Sequence, residues 1–215
     1  MTNFIAIFPL SIVVYPGERL NLHIFEPRYK QLIAECAAGN KPFGIPSVTG
    51  NHLNDLGTLV EVNEVAKTYD NGEMDIRVTG LSVFRILEAT GRVPDKLYNG
   101  AIVTYPDNDM KGNPNLLKKV VNGIRELHRL MHIKKEFPRP EEELSSYDIA
   151  HLAGLSLEEE YEILGLLMEL QRLEYLRRHL KKALPMAAGL ENLREKVKLN
   201  GHFRNLSGFD FGPEK

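Results

Sequence analysis

The sequence predicts an α+β fold, in which a small β-rich domain with one helix precedes a helical bundle. Two periodicities carry this prediction. Over residues 1–110, short segments place apolar residues at every second position, as half-buried strands do. Over residues 115–201, apolar residues recur with the helical period. The tail, 202–215, contains Gly, Pro and Asn and follows neither period. We therefore expect the chain to divide near residues 106–115.

The opening stretch, FPLSIVVYPGERLNLHIFEPRYKQLI (residues 8–33), predicts a strand, a turn, a second strand and a helix. Asn3–Phe8 is a candidate strand. Ser11–Tyr15 leads into Pro16-Gly17, which can form the centre of a type II turn because glycine tolerates positive φ there. Leu20–Ile24 then alternates apolar and polar residues with the period of a strand.

A helix is predicted to follow this second strand. Pro27 can occupy its first position, where the missing amide costs nothing, and Glu26 places negative charge beside the helix start. The apolar stripe of this helix comprises Tyr29, Leu32, Ile33, Cys36 and Ala37. Gly39 is expected to end it.

Five further strand segments complete the first half: Phe43–Ser47, Gly57–Tyr69, Met74–Val78, Val83–Leu87 and Tyr98–Tyr105. Asp70-Asn71-Gly72 predicts a hairpin with a type I′ turn, whose two central positions need positive φ. Gly80 separates the third segment from the fourth. Short strands with a single helix are typical of a small, partly closed β-barrel.

The helical half begins with a stripe that comprises Leu116, Leu117, Val120, Val121, Ile124, Leu127 and Met131. A break rich in Pro and Glu follows at residues 137–143. Ser146 can then cap a short helix to Ala153, which Gly154 stops.

Two more helices are predicted after this break. Ser156 with Glu159 forms a capping box at the start of the first. Its stripe, which Pro185 ends, includes Leu170, Leu173, Leu176, Leu180 and Leu184. The last helix runs from about Gly189 to Gly201, and the whole of 115–201 is therefore expected to form a small bundle.

Composition excludes several classes of protein. Lys and Arg number 27 against 29 Asp and Glu, a net charge of −2, so no general field attracts nucleic acid or anionic lipid. The chain contains no apolar run of about 18 residues, and its first residues lack the basic region of a signal peptide. A single cysteine, Cys36, excludes an intrachain disulfide and a multi-cysteine zinc site. We expect a cytoplasmic protein that does not enter a membrane.

Possible metal sites are incomplete. His128 and His132 lie four residues apart on a predicted helix but have no adjacent Glu and no third ligand. Asp107 and Asp109 resemble the start of a calcium loop, yet Lys118 stands where the chelating Glu is required. We expect neither pair to bind a metal ion.

Possible catalytic groups are equally isolated. Cys36 lies on the buried face of its helix, which favours a structural thiol. Asp210-Phe211-Gly212 matches the metal-binding triplet of protein kinases but has no phosphate loop or catalytic loop before it. A row of basic residues opposite the last Leu stripe is expected to be solvated: Arg172, Arg177, Arg178, Lys181 and Lys182. No catalytic residue, metal or cofactor is therefore predicted.

The stretch at residues 8–33 closely resembles the start of the Lon protease N-terminal domain family. That family typically begins with a Phe-Pro-Leu, a Pro-Gly turn, a Leu-His-Ile-Phe-Glu-Pro-Arg-Tyr run and a helix. GTLVEV, FRI and YNGAIVTY are further matches, and YDIAHLAGLSLEEEYEILGLL and QRLEYLRRHL fit the later helices of the family. The resemblance covers nearly the whole chain, and its most specific part is Phe8–Tyr29.

The resemblance implies a PUA-like pseudobarrel followed by a helical bundle. It also implies a substrate-recognition module that binds unfolded or partly folded polypeptide, or a protease or chaperone partner. In the full protease this domain precedes an ATPase and a Ser-Lys peptidase, for which 215 residues leave no room. We therefore expect a protein-binding module that is not an enzyme.

The candidate peptide-binding site is the strand-to-helix corner with His23, Phe25, Glu26, Arg28 and Tyr29. Phe25 and Tyr29 would supply contact area, while Glu26 and Arg28 would orient a backbone or a charged side chain. We expect the corner to line a groove between the two halves, with a free sheet edge as a second way to hold an extended peptide. Alternatively, both aromatic rings belong to the core and the two charges pair structurally.

Two other functions remain open at this point. PUA-like folds include RNA-binding proteins, although the neutral charge and the absence of Trp argue against nucleic acid here. His23, Glu26 and Arg28 near one strand end could also belong to a small-molecule enzyme.

Overall fold

The computed structural model describes residues 2–202, in which it shows six strands and five α-helices. The strands are β1 (Thr2–Ile7), β2 (Arg19–Ile24), β3 (Phe43–Thr49), β4 (His52–Thr68), β5 (Met74–Arg92) and β6 (Asn99–Thr104). The helices are α1 (Pro27–Gly39), α2 (Pro114–Met131), α3 (Ser146–Ile149), α4 (Leu157–Gly165) and α5 (Glu169–His202). The α+β prediction is confirmed, because all six strands precede α2 and only α1 lies among them.

Five of the strands close into a barrel. β3 is antiparallel to β4, β4 to β5, β5 to β6 and β6 to β1, and a parallel pairing of Ile7 with Gly44 joins β1 to β3. β5 has 19 residues and serves different neighbours along its length: Met74–Thr79 pairs with β2, whereas Arg85–Arg92 pairs with β6. β2 therefore lies outside the closed ring, attached to β5 alone.

The candidate strand Asn3–Phe8 is confirmed as β1, whereas Ser11–Tyr15, directly before the first turn, forms no strand. Val13–Tyr15 is buried: the Thr58 hydroxyl donates to the Val14 carbonyl, the Tyr15 amide donates to the Glu18 carboxylate, and the Glu18 amide donates to the Tyr15 carbonyl. Two side chains and one backbone bond within the turn therefore serve this segment in place of a neighbouring strand.

Both predicted turns exist, one of them with a different geometry. Gly17 has φ +83°, as a type II turn requires. At the β4–β5 hairpin, Gly72 has φ +75° but Asn71 is not in the positive-φ region. The Tyr69 amide donates to the Glu73 carbonyl, which makes a three-residue loop rather than the predicted two-residue type I′ turn.

β5 runs without a break through Gly80, where the sequence predicted a boundary between two strands. The Gly80 amide donates to the Glu18 carbonyl, and the Gly17 amide donates to the Gly80 carbonyl. Gly80 thus lies directly against the first turn, so close that an added Cβ would collide with the Tyr15 carbonyl oxygen. Close approach of two backbone segments, rather than a strand end, explains this glycine.

α1 buries the predicted stripe against the barrel strands. Tyr29, Leu32, Ile33 and Cys36 are buried, and they share a core cluster with strand residues such as Phe43. The end of the helix differs by one residue: Gly39 is still helical. Asn40 instead adopts the left-handed conformation, with φ 47°.

α2 and α5 form the main helix–helix contact of the second half. The predicted stripe of α2 is buried or half-buried except at its last member, Met131, which is 44% exposed. Leu130 is buried instead, because it follows buried Leu127 by three residues and therefore lies on the same face of α2.

The caps of the short helices are partly as predicted. Ser156 and Glu159 form the expected capping box of α4. Ser145, not Ser146, caps α3 in a second box with Asp148. Ser146 is buried, and its hydroxyl bonds a carboxylate of α5.

α5 continues through Pro185, where a helix end was predicted, and the helix predicted from Ser156 to Pro185 is instead divided into α4 and α5 at residues 166–168. A proline removes one amide donor, and the strong helix formers around it (Ala183, Leu184, Met186) let the helix continue. Leu170 is largely exposed, unlike the next three leucines of its stripe. Within residues 2–202, neither this 34-residue helix nor any other is apolar enough to cross a membrane.

Arg172 is fully buried, which corrects its prediction as a solvated residue. Its guanidinium donates to Ser146 Oγ (2.8 Å), Glu169 Oε2 (2.9 Å) and Asn108 Oδ1 (2.9 Å). The same group lies 4.1 Å over the ring of Tyr147. One side chain therefore joins the segment after β6 to α3 and α5.

The two halves contribute to a common core. Val13, Tyr15, Leu56 and Val83 from the first half belong to the same buried cluster as residues of α2, α3, α4 and α5. The division near residues 106–115 stays a prediction. The tail beyond His202, with the Asp210-Phe211-Gly212 triplet, lies outside the described residues.

Limited proteolysis will test the division. Within the described residues, we expect trypsin to cut native protein first after Lys134 or Lys135, which are exposed in a segment without helix or strand. Lys111 is also exposed, but backbone bonds from Asp109 to Leu167 and Glu169 hold its segment, so we expect slower cleavage there. Mass spectrometry of the early fragments identifies the site. A first cut inside β4 or β5 would contradict a β-rich unit followed by a helical one.

Candidate functional site

The strand-to-helix corner is built by local backbone chemistry. Glu26 is extended (φ −73°, ψ 135°), the conformation favoured before a proline, and Pro27 then begins α1. The Glu26 carbonyl accepts the amides of Tyr29 and Lys30 at 3.0 and 2.9 Å. These bonds hold Phe25, the last residue before the corner, in a defined position.

His23 is held by two carboxylates of the neighbouring strand region. Its Nδ1 lies 2.7 Å from Asp75 Oδ1, and its Nε2 lies 3.2 Å from Glu73 Oε2. The hydrogen bond with Asp75 raises the pKa of His23, and the same bond lowers the pKa of Asp75. The hydroxyl of Tyr69 donates to the other Asp75 oxygen at 2.7 Å. The imidazole is therefore fixed in place at the protein surface.

Three rings gather on this surface. The Phe25 ring is 59% exposed and stacks on His23 with 6.3 Å between centroids. Tyr69, from the β4–β5 hairpin, meets His23 edge-on at 5.8 Å. We call Phe25, His23 and Tyr69 the corner surface. It combines one exposed apolar ring with two rings that carry polar groups, a combination common at contact surfaces.

Glu26 and Arg28 pair with each other, as the structural alternative anticipated. The Arg28 guanidinium lies 2.6 Å from Glu26 Oε2, and it also lies 4.7 Å from the centroid of the Tyr29 ring. Both side chains remain accessible at the side of the corner surface. They offer one positive and one negative group to a partner.

Tyr29 lies in the core. Its exposure is only 7%, and its ring centroid is 4.0 Å from that of Phe8. Its ring thus supports the corner from beneath and has little area to offer a partner. Of the two predicted contact rings, the structure exposes Phe25 alone and adds Tyr69 from the hairpin.

Sequence reasoning missed Tyr69, Glu73 and Asp75. The turn at residues 70–72 was recognised, and it brings these three residues near one another. Their position beside His23 depends on the pairing of β2 with β5, in which His23 lies opposite Asp75. No feature of a single strand specifies which other strand it will pair with.

A cavity between the two halves lies elsewhere, which corrects the expectation that the corner lines such a groove. Its volume is about 600 Å³, and it is lined by Pro16–Arg19 of the first turn and by residues between 136 and 152. Arg19 begins β2, whereas the corner follows Ile24. Four residues of β2, about 13 Å, therefore separate Arg19 at the cavity from His23 of the corner surface.

His151 connects the halves at this cavity. Its Nδ1 lies 2.7 Å from Glu160 Oε1 and its Nε2 lies 3.3 Å from Glu18 Oε2, while its ring packs 4.7 Å from that of Tyr15. Burial lowers the pKa of His151, but the bonds and charges of Glu160 and Glu18 outweigh burial and raise the pKa to about 9.

This arrangement predicts a loss of stability at alkaline pH. The charged imidazole stabilises the fold fully below its unfolded pKa of about 6.5, and the contribution disappears as pH rises through the folded value of about 9. After screening by solvent we expect about 1–2 kcal/mol. Urea unfolding at pH 6 and pH 9.5 measures the change. The His151→Gln variant should lose this part of the pH dependence, and an identical pH profile in both proteins would contradict the assignment.

The isolated chemical groups have structural partners. Burial raises the pKa of Cys36 to about 11, which disfavours a thiolate nucleophile at neutral pH. His128 Nε2 lies 2.9 Å from the Leu152 carbonyl, and His132 Nε2 lies 3.0 Å from Glu191. Among residues 2–202, no three His, Cys, Asp or Glu side chains are grouped to hold a metal ion.

A family model for the ATP-dependent protease La (LON) substrate-binding domain matches residues 5–182. The chain belongs to this family. The match extends from β1 into α5, so it includes both the barrel and the helices, and it contains the whole corner surface. The corner surface is therefore part of the LON substrate-binding domain.

Solved structures of LON N-terminal domains share the fold. A Lon N-terminal domain protein from Xanthomonas campestris superposes with a TM-score of 0.62 at 22% identity, over 81% of this chain and 96% of that one. The N-terminal domain of the Mycobacterium avium complex Lon protease gives a TM-score of 0.57 at 14% identity, over 83% and 98% of the two chains. At these identities the comparison concerns the fold alone.

Proposed function

We propose that this chain is a non-catalytic module that binds unfolded or partly folded polypeptides, including segments of a protease or chaperone partner, and that the corner surface is part of the contact. Membership of the LON substrate-binding domain family supports polypeptide as the ligand class. The observation that carries the site is the exposed phenyl ring of Phe25, stacked on an imidazole that two carboxylates hold in place.

The surface suits a polypeptide better than the alternatives. The carboxylates of Glu26, Glu73 and Asp75 lie among the cations Arg28 and Lys67 around the rings, so the surface is mixed in charge and not the cationic surface that favours an RNA backbone. Of the candidate acid–base groups, His23 is engaged by Asp75 and Glu73, and Glu26 is paired with Arg28. The expected compartment is the cytoplasm, in keeping with the composition.

Binding by this module should be weak. An unfolded partner loses conformational freedom when it docks, so a small aromatic surface is expected to give an affinity on the order of micromolar. The exposed ring is expected to provide much of the binding free energy. Truncating an aromatic residue at the centre of a contact commonly costs more than about 1 kcal/mol.

The test is a fluorescence anisotropy titration with reduced, carboxymethylated α-lactalbumin, which is permanently unfolded, and with native α-lactalbumin. We expect binding of the unfolded form only, weakened about fivefold or more by Phe25→Ala. The matched control is Leu87→Ala, whose side chain is similarly exposed (55%) on β5 and lies outside the corner surface. Equal affinities for Phe25→Ala and the parent would place the contact elsewhere. Absence of binding at millimolar concentration would contradict the function itself.

A further inference from the structure

β2 has one unpaired edge. It pairs with β5 on one side and with no other strand. Across the described residues, the amides and carbonyls of residues 19–24 make no hydrogen bond apart from those to β5. A strand in this position presents backbone donors and acceptors to whatever lies beside it.

The direction of these groups follows from the pairing of β5. Antiparallel pairs alternate between residues that exchange backbone bonds and residues that do not. The Gly80 amide donates to the Glu18 carbonyl at one end, and the Tyr69 amide donates to the Glu73 carbonyl at the other. Both bonds indicate that the even-numbered residues of β5 direct their backbone groups toward β2 and the odd-numbered residues toward β4. The even-numbered residues of β2 therefore bond to β5, and the odd-numbered residues direct their amides and carbonyls outward.

Three residues carry these outward groups: Arg19, Asn21 and His23. All three side chains are exposed, on the face of β2 opposite Leu20 and Leu22. The intervening Leu20 and Leu22 are half-buried and pack on the barrel core from the opposite face. A strand added beside β2 would find an apolar row on one face and a polar row on the other.

β2 also lacks three of the features that protect an edge from pairing: proline, lysine and a β-bulge. It contains no proline and no lysine, and its register with β5 runs without a shift from Arg19 to Ile24. The outer part of β4, residues 61–68, is protected in comparison. Its register with β5 shifts between Val62 and Glu64 and again between Val65 and Lys67. Register shifts of this kind are β-bulges, which hinder the pairing of a further strand with a sheet edge.

We propose that a bound polypeptide adds to β2 as a further strand, with its backbone bonded to Arg19, Asn21 and His23. This inference rests on the proposed function and specifies how the module holds its ligand. The occupant is an extended segment of about five or six residues, which matches the length of β2.

The surroundings of β2 define the side chains of this occupant. Apolar residues at alternate positions would lie beside Leu20 and Leu22, and a residue at the corner end would meet the exposed ring of Phe25. An acidic residue at the other end would meet Arg19, which forms no ion pair within the described part of the chain. Because main-chain bonds provide much of the affinity, many sequences would satisfy these requirements.

Asn21→Pro is the informative variant. The outward Asn21 amide is not used by β5, so an edge proline should leave the sheet intact while it removes a donor and blocks the edge. Asn21→Ala is the matched control, because it removes the side chain and keeps the amide. The probe is a fluorescein-labelled decapeptide in which leucine alternates with threonine and one end carries aspartate. We expect Asn21→Pro to weaken probe binding at least tenfold and Asn21→Ala to leave it within twofold.

A second measurement needs no protein variant. The amides of the probe are methylated one at a time, and the affinity of the parent protein is measured for each peptide. Strand addition predicts a loss at every second position, since only alternate amides face β2. Losses without this period, or equal binding of the probe by Asn21→Pro and the parent, would overturn the inference. Failure of the parent to bind both the probe and carboxymethylated α-lactalbumin would contradict the proposed function instead.

Discussion

Replacing Arg172 with methionine is expected to destabilise the fold by about 3–5 kcal/mol. Methionine keeps much of the length of the side chain but removes every donor. The carboxylate of Glu169, itself buried, would lose its cationic partner, and the carbonyl oxygens of Asn108 and Leu166 would lose their donors. A charge left without a partner in the interior is far more costly than the loss of the attraction between two exposed ions.

The measurement is the free energy of unfolding in urea. Arg178→Met is the matched control on the same helix, because Arg178 is exposed and its pair with Glu174 is accessible to water, so a change within about 0.5 kcal/mol is expected. Adding Glu169→Gln to Arg172→Met should recover part of the loss by removing the unpartnered charge. A loss below about 1 kcal/mol for Arg172→Met would contradict the inference that the Arg172 side chain holds the segment after β6 against α3 and α5.

Gly80→Ala is expected to cost about 3 kcal/mol, an effect far larger than one methyl group usually has. The added Cβ would collide with the Tyr15 carbonyl oxygen and would lie 3.2 Å from the Thr58 methyl group. The obstructing atom belongs to the backbone of a fully buried residue, so it cannot turn aside as a flexible side chain would. Either β5 or the first turn has to move, and the turn carries Glu18, which faces His151 of the helical half.

Gly91→Ala provides the control on the same strand. No atom lies within 4 Å of a Cβ at Gly91, which is exposed near the end of β5. We expect that variant to keep the stability of the parent within about 1 kcal/mol. Comparison of the two urea midpoints separates steric conflict from the general effect of replacing a glycine. Equal midpoints would mean that β5 does not pass as closely over the first turn as the structure indicates.

The elements with strong local signals were predictable. Pro16-Gly17, Glu26-Pro27 and the Ser156–Glu159 box each act through bonds within a few residues, and each has its expected role. The predictions were wrong where a single glycine or proline was interpreted as the end of an element. Gly80 resembled a strand end because glycine weakens the interior of a strand, yet here it allows two backbone segments to approach each other. Pro185 resembled a helix end, but the residues around it continue the helix.

The candidate site was predictable in part, for the same reason. Phe25 and His23 could be selected because they lie at a corner that local sequence specifies. Tyr69 and Asp75 could not, because they reach His23 only through the register between β2 and β5. The burial of Tyr29 likewise depends on Phe8, which lies on another part of the chain.

By itself, the sequence determined that the strands with one helix precede the other helices, the two periodicities, the position of the corner and the resemblance to one family. Those properties follow from neighbours along the chain, where propensity, turn chemistry and caps act. The tertiary structure alone decided that β5 closes a barrel with β6 while β2 stays at an edge, and that Arg172 is buried. These outcomes depend on which distant segments exclude water from one another and satisfy one another's polar groups, and a one-dimensional pattern does not contain that information.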